Sequence, residues 1–110
     1  MSVTIFQQAR IVDPSRGLDE IGSVIVDGKG IVAAGADALN QGAPEGAKVI
    51  DCAGKAIIPG LVDGRVFIGE PGAEHRETIA SASLAAAAGG VTSIVMMPDT
   101  DPVIDNVALV

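Results

Sequence analysis

Four residues of this chain carry side chains that could do chemistry alone, and each is short of a partner. Cys52 is the single cysteine, so an internal disulfide or a cysteine-rich zinc site is excluded. His75 is the single histidine, so no second imidazole exists to activate a Cys52 thiolate or a serine. Cys52 is therefore expected to be a small packed side chain. Lys29 lies between Gly28 and Gly30, but the Gly-x-x-x-x-Gly-Lys-Ser/Thr spacing of a phosphate-cradling loop is missing. Glu70 precedes Pro71-Gly72, a context that shapes a loop rather than poising a proton donor.

The elements around these residues divide into two textures that meet near Pro59-Gly60. Before that point the sequence predicts short strands joined by turns, at residues 3–7, 23–26, 31–34, 48–52 and 55–58. Asp27-Gly28-Lys29-Gly30 is a hairpin signal, because the Asp-Gly pair tolerates the positive φ angles of tight turns. Residues 40–46, rich in Gly and Pro, are a predicted loop. After that point the period changes. Residues 61–68 form a mostly apolar strand, interrupted by Asp63, Gly64 and Arg65. Residues 74–88 read as an Ala-rich helix with Glu74 and Glu77 in its first turn and Gly89-Gly90 as its cap. Residues 91–97 are an apolar strand of the kind buried on both faces. Strand, helix, strand is one βαβ unit, which alone cannot close a barrel.

The 110 residues lie in the size range of one domain, and 48% are hydrophobic, enough for a core of Val, Ile, Leu and Ala. Seven Lys and Arg against fourteen Asp and Glu give a net charge of −7, which argues against a nucleic-acid partner. No apolar run approaches the roughly 20 residues that span a bilayer, and the first residues lack a secretory pattern. A cytoplasmic protein with no membrane partner is the expectation.

Four separated segments carry a resemblance: Ile58-Pro59-Gly60-Leu61-Val62-Asp63, Glu70-Pro71-Gly72, residues 85–92, and Met97-Pro98-Asp99-Thr100-Asp101-Pro102. Together they resemble dihydroorotases, pyrimidine-pathway members of the amidohydrolase superfamily. The resemblance implies an α/β fold. Residues 1–57 would be the N-terminal part of a small β-sandwich, and residues 58–110 the first βαβ unit of an incomplete (β/α)8 barrel. Such barrels need about 250 residues, so the resemblance implies the N-terminal portion of a longer architecture. Read instead as a complete protein, the chain would expose a sheet edge and a helix face, and a homo-oligomer would have to hide them.

The resemblance also implies where a metal would sit. The family reads Asp-x-His-x-His-x-Arg at the end of the first barrel strand. Residues two apart on a strand share a face, so both imidazoles reach one divalent cation, which makes hydroxide available near neutral pH. Here the stretch is Asp63-Gly64-Arg65-Val66-Phe67-Ile68-Gly69. Arg65 and Phe67 occupy the ligand positions, and neither a guanidinium nor a phenyl ring offers a lone pair. Gly69 replaces the arginine that helps grip the substrate carboxylate. Asp99 replaces the asparagine of Met-Pro-Asn-Thr, placing negative charge where an anionic substrate docks. No catalytic residue and no cofactor are therefore expected in this chain, whereas active relatives use zinc.

Asp63, Arg65, Phe67, Gly69 and Asp99 then make up a vestigial site. Within it Arg65 is expected to pair with Asp63, a fixed cation in place of the metal, unless both are solvated. His75 is expected at the helix start on the surface. Some members of the family that have lost the metal histidines associate with aspartate transcarbamoylase and support its assembly. The implied function is a noncatalytic structural or regulatory partner of that enzyme. The alternative is a metal-dependent cyclic amidohydrolase hydrolysing dihydroorotate to carbamoyl aspartate through a non-standard site.

Overall fold

The computed structural model describes residues 2–109, which divide into two compact units between Pro59 and Gly60. The first is one mixed sheet built on β1 (Val3–Asp13), with β2 (Leu18–Asp27), β3 (Gly30–Gly35), β4 (Lys48–Asp51) and β5 (Ala56–Ile57). The order is β3-β2-β1-β4, and β5 also pairs with β1. β1 is longer than the expected strand 3–7. Its residues Thr4–Gln7 and then Arg10–Ile11 receive β4 and β5 in succession, both parallel. A bulge between Phe6 and Ala9 makes this possible. Gln8 takes the extra position at φ +62, and the bend lets one strand edge serve two short partners.

The β1–β2 turn forms because Asp13 accepts the amide of Ser15 at 3.0 Å, with Pro14 opening a single 3-10 turn. The β2–β3 hairpin closes over Gly28 and Lys29, and the positive φ it needs, +57, falls on Gly28. Ser23, Val24 and Ile25 are buried in consecutive positions, so the middle of β2 is covered on both faces. Loop residues 37–44 supply one cover, since Asp37, Ala38, Asn40 and Pro44 share a cavity with Ile25 and Val32. The core of this unit is Ile5, Ala9, Ile11, Val24, Ile25 and the Cys52 side chain.

The second unit is β6 (Leu61–Val66), α1 (Ile79–Ala88) and β7 (Val91–Met96), with β6 and β7 parallel. This is the expected βαβ connection, but the helix starts later than residue 74. Residues Gly69–Arg76 are instead tied into turns, with the Ala73 amide donating to Gly69 O at 2.6 Å and the Arg76 amide to Ala73 O at 2.9 Å. Thr78 is the N-cap. Its hydroxyl accepts the Ser81 amide at 3.1 Å while the Ser81 hydroxyl accepts the Thr78 amide at 3.1 Å, a reciprocal capping box. Glu74 and Glu77 thus lie outside the first helical turn, correcting the expected dipole role.

Thr78→Ala is expected to cost about 1 kcal/mol, read as a lowered urea midpoint for loss of the helical signal. An unchanged midpoint would show that the cap contributes nothing.

The helix ends as expected at the glycine pair, with Gly90 taking φ +83. The expectation that the last strand is buried on both faces fails. Thr92, Ser93 and Val95 of β7 are exposed, and no residue of α1 is buried. A two-stranded sheet with one helix covers one side only, so the apolar pattern of β7 is not satisfied among the described residues. Among the described residues no helix is long and apolar enough to cross a membrane.

Candidate functional site

Parallel strands place the loops that succeed them at one end, which is where β/α architectures carry their sites. Here those loops are residues 67–78 after β6 and 97–106 after β7. The Met97 amide donates to Val66 O at 2.8 Å, closing the last rung between the strand ends. The Asp101 amide donates to Pro71 O at 3.0 Å, and a Cβ on Gly72 would run into Asp101, so the two loops are packed backbone to backbone. Thr100 steadies the second loop: its hydroxyl donates to Pro102 O at 3.0 Å and accepts the Ile104 amide at 3.2 Å.

The expected strand alternation does not hold across the site. Asp63 pairs with Ile94 and Val66 with Met96, so β6 carries one extra residue over that interval. The slip falls at Gly64-Arg65 and makes Asp63 and Val66, three apart, equivalent on one face. Asp63, Val66 and Phe67 accordingly line one cavity of about 250 Å³ with Glu77, Ala82, Ala85 and Ala86, and Arg65 is not among its walls. The expected Asp63–Arg65 ion pair is likewise absent. The Asp63 carboxylate accepts the Arg65 backbone amide at 3.1 Å, a local turn contact that stabilises the bulge, and both residues are exposed. Among the described residues the ion pair is elsewhere, between Arg10 and Asp19 at 2.7 Å.

Phe67 lies just past the strand end, 44% exposed, with the Arg76 guanidinium 5.4 Å from its ring centroid. Such stacking favours a cation over the negative ring face. Gly69 is buried at φ +88, a left-handed conformation, and a Cβ there would press on Ala73 and Phe67 at 3.2 Å. An arginine at this position would be strained, so the glycine answers a backbone demand of this loop. Asp99 is exposed beyond β7. His75 is exposed in the turn that precedes the helix, three residues before the observed N-cap Thr78, and not at the expected helix start.

Sequence reasoning missed how Glu70 shapes its surroundings. Its Oε2 accepts the Ile79 amide at 2.6 Å, placing a carboxylate at the first amide of α1. The spacing of nine residues hides such a link. The Arg76–Phe67 stack has no sequence signal either, while Thr78 followed by Ser81 ahead of an apolar run was a readable cap.

The Glu74 carboxyl is held below its ordinary value near 4.5, chiefly by its own backbone amide and then by that of Gly72, 3.1 Å away. A depressed carboxyl stabilises the turn above its unfolded-state value, and that contribution is lost as pH falls through the folded value. The side-chain carboxyl resonance of Glu74 is expected to titrate below that of an unfolded glutamate, with the Gly72 amide shifting in step. A midpoint at or above the ordinary value would show that these bonds do not form.

Imidazole, thiolate and carboxylate donors are what zinc requires, and the residues at the implied ligand positions do not fit it. Arg65 donates only and Phe67 has no donor atom. Among the described residues no group of three His, Cys, Asp or Glu is placed to hold a metal ion.

The family model for dihydro-orotase-like proteins matches residues 54–108. Dihydroorotase from Pelobacter propionicus is 49% identical over 105 residues, covering 96% of this chain and 24% of the relative. Dihydroorotase from the Wolbachia of Brugia malayi is 47% identical over 102 residues, covering 92% of this chain and 23% of the relative. Among solved structures, a D-hydantoinase (dihydropyrimidinase) from Thermus sp. superposes with a TM-score of 0.61 at 26% identity, over 86% of this chain and 20% of that one. The chain spans about a quarter of the length of the curated relatives it matches.

Proposed function

This chain belongs to the dihydro-orotase-like family, and on that basis we propose that it is the N-terminal portion of a dihydroorotase-like protein of pyrimidine biosynthesis that does not itself hydrolyse dihydroorotate. Its role is that of a structural or regulatory partner of aspartate transcarbamoylase. On this reading residues 1–57 contribute to a β-sandwich and residues 58–110 open a (β/α)8 barrel.

The observation that carries the proposal is the chemistry at two positions. Arg65 and Phe67 offer no electron pair to a cation. Gly69, fixed at φ +88, offers no cation to a substrate carboxylate, and Asp99 adds negative charge beside an anionic ligand. Without a metal to lower the pKa of a bound water, attack on a cyclic amide at neutral pH loses its nucleophile.

The test uses the full-length protein that carries these residues. Metal analysis should find no stoichiometric zinc, dihydroorotate should not be opened above the buffer rate, and the protein should co-elute with aspartate transcarbamoylase. Bound zinc with turnover would establish the second reading, a cyclic amidohydrolase with a non-standard site. A protein that neither turns over nor associates would remove the partner role.

A further inference from the structure

Three aspartates fold their carboxylates back along the backbone to accept the amide two residues ahead. Asp13 accepts from Ser15 at 3.0 Å, Asp51 from Ala53 at 2.9 Å and Asp63 from Arg65 at 3.1 Å. In such a turn the carboxyl carbon lies over the nitrogen of the intervening residue. The identity of that residue decides the chemistry. Pro14 has no N–H to give up. The Cys52 amide is already donated to Gln7 O at 2.8 Å, and its side chain is packed in the core. Gly64 has an N–H and no side chain. It falls in the gap between the paired positions Asp63–Ile94 and Val66–Met96, is exposed, and has open space where a Cβ would stand.

The sequence holds one other Asp-Gly junction, Asp27-Gly28. There the aspartate is paired on both sides, with Val3 of β1 and with Gly30 of β3, and its Oδ1 is buried without a partner. Ladders on both sides hold the backbone torsion that a ring closure would have to turn. Among the described residues Asp63 is held on one side alone, by β7.

We propose that Asp63-Gly64 is a site of spontaneous backbone isomerisation, at which the folded chain converts Asp63 to isoaspartate through a cyclic succinimide. The Gly64 nitrogen attacks the Asp63 carboxyl carbon and a new C–N bond forms. The hydroxyl of the protonated carboxyl leaves with the amide proton as water. Water then adds to the Asp63 α-carbonyl carbon, and the original peptide C–N bond breaks. The main chain now runs through the former side-chain carbon and is longer by one methylene. The α-carboxylate is free, and no atom is gained or lost overall. That methylene enters β6 directly before Arg65, so it displaces the wall that Asp63, Val66 and Phe67 give to their shared cavity. The modification is independent of whether the protein turns over a substrate.

The experiment ages the unmodified full-length protein at neutral pH, natively and in urea, and digests it with trypsin. The two junctions then separate into peptides 17–29 and 56–65. Isoaspartate in each is read by electron-transfer fragmentation and by methyl transfer from a protein isoaspartate methyltransferase. Native protein should accumulate it in peptide 56–65 at least about tenfold faster than in peptide 17–29, because a ladder position reacts while it is locally open. In urea the two rates should converge. No isoaspartate at Asp63 in the native protein, a rate at Asp27 equal to or above that at Asp63, or the same ratio in urea would each overturn the proposal. Gly64→Ala, which the open space accommodates, should lose most of the signal at Asp63, since a Cβ hinders the attacking nitrogen. A variant that isomerises at the parental rate would overturn it as well.

Discussion

Ile68→Ala is expected to destabilise the βαβ unit by about 2–5 kcal/mol, the range for removing a fully buried branched side chain where the walls cannot collapse. Ile68 is 1% exposed and borders an apolar cleft of about 280 Å³ with Ile79, Ile94, Met96, Pro98 and Ile104. It is the one large side chain of this unit that is fully buried among the described residues, so little else compensates for its loss. It also sits between Phe67 and Gly69, and its anchorage sets where the site loop begins. Hydrogen exchange at the amides of α1 and β7 measures the loss directly. Exchange rates unchanged from the parent would show that Ile68 does not hold this unit together.

Gly22→Ala should act comparably on the sheet unit, for a different reason. Gly22 lies opposite Ala9 in the β1–β2 ladder, where the end of β3 passes close by. A Cβ at this position would lie inside 3.0 Å of the Gly35 carbonyl and the Ala36 amide, both backbone. That backbone is itself fixed, because Glu20 accepts the Ala36 amide at 2.7 Å. Backbone cannot rotate aside as a side chain can, so the methyl forces β2 and β3 apart at a cost of about 1–3 kcal/mol or more. A lowered urea midpoint together with faster exchange in β3 is the expected signature. An alanine variant as stable as the parent would mean that the two strands leave room for a methyl group here.

The site shows how much depends on register. The residue types at positions 65, 67, 69 and 99 were readable from the sequence, and their chemistry is independent of coordinates: a guanidinium donates, a phenyl ring neither donates nor accepts, and a carboxylate repels an anion. Their mutual placement was not readable. A period-two pattern assumes an unbroken strand, and the register shift between Asp63 and Val66 breaks it, putting those two residues, three apart, on one face. The pairing of Asp63 with Arg65 therefore failed although the two are correctly spaced. The helix start moved from residue 74 to Ile79 because Thr78 and Ser81 form a reciprocal cap, and because the preceding residues find hydrogen-bond partners in turns.

The sequence by itself determined the two textures that meet at Pro59-Gly60, the hairpin at Gly28, the strand–helix–strand order and the absence of lone pairs at the two ligand positions. All of these come from local preference or from side-chain chemistry, which neighbours cannot alter. The tertiary structure alone decided that one edge of β1 serves both β4 and β5, that β6 bulges, that Glu70 caps a helix nine residues away and that Arg76 covers Phe67. Each of those depends on contacts between residues whose separation in the chain carries no periodic signal, so only the folded arrangement can bring them together.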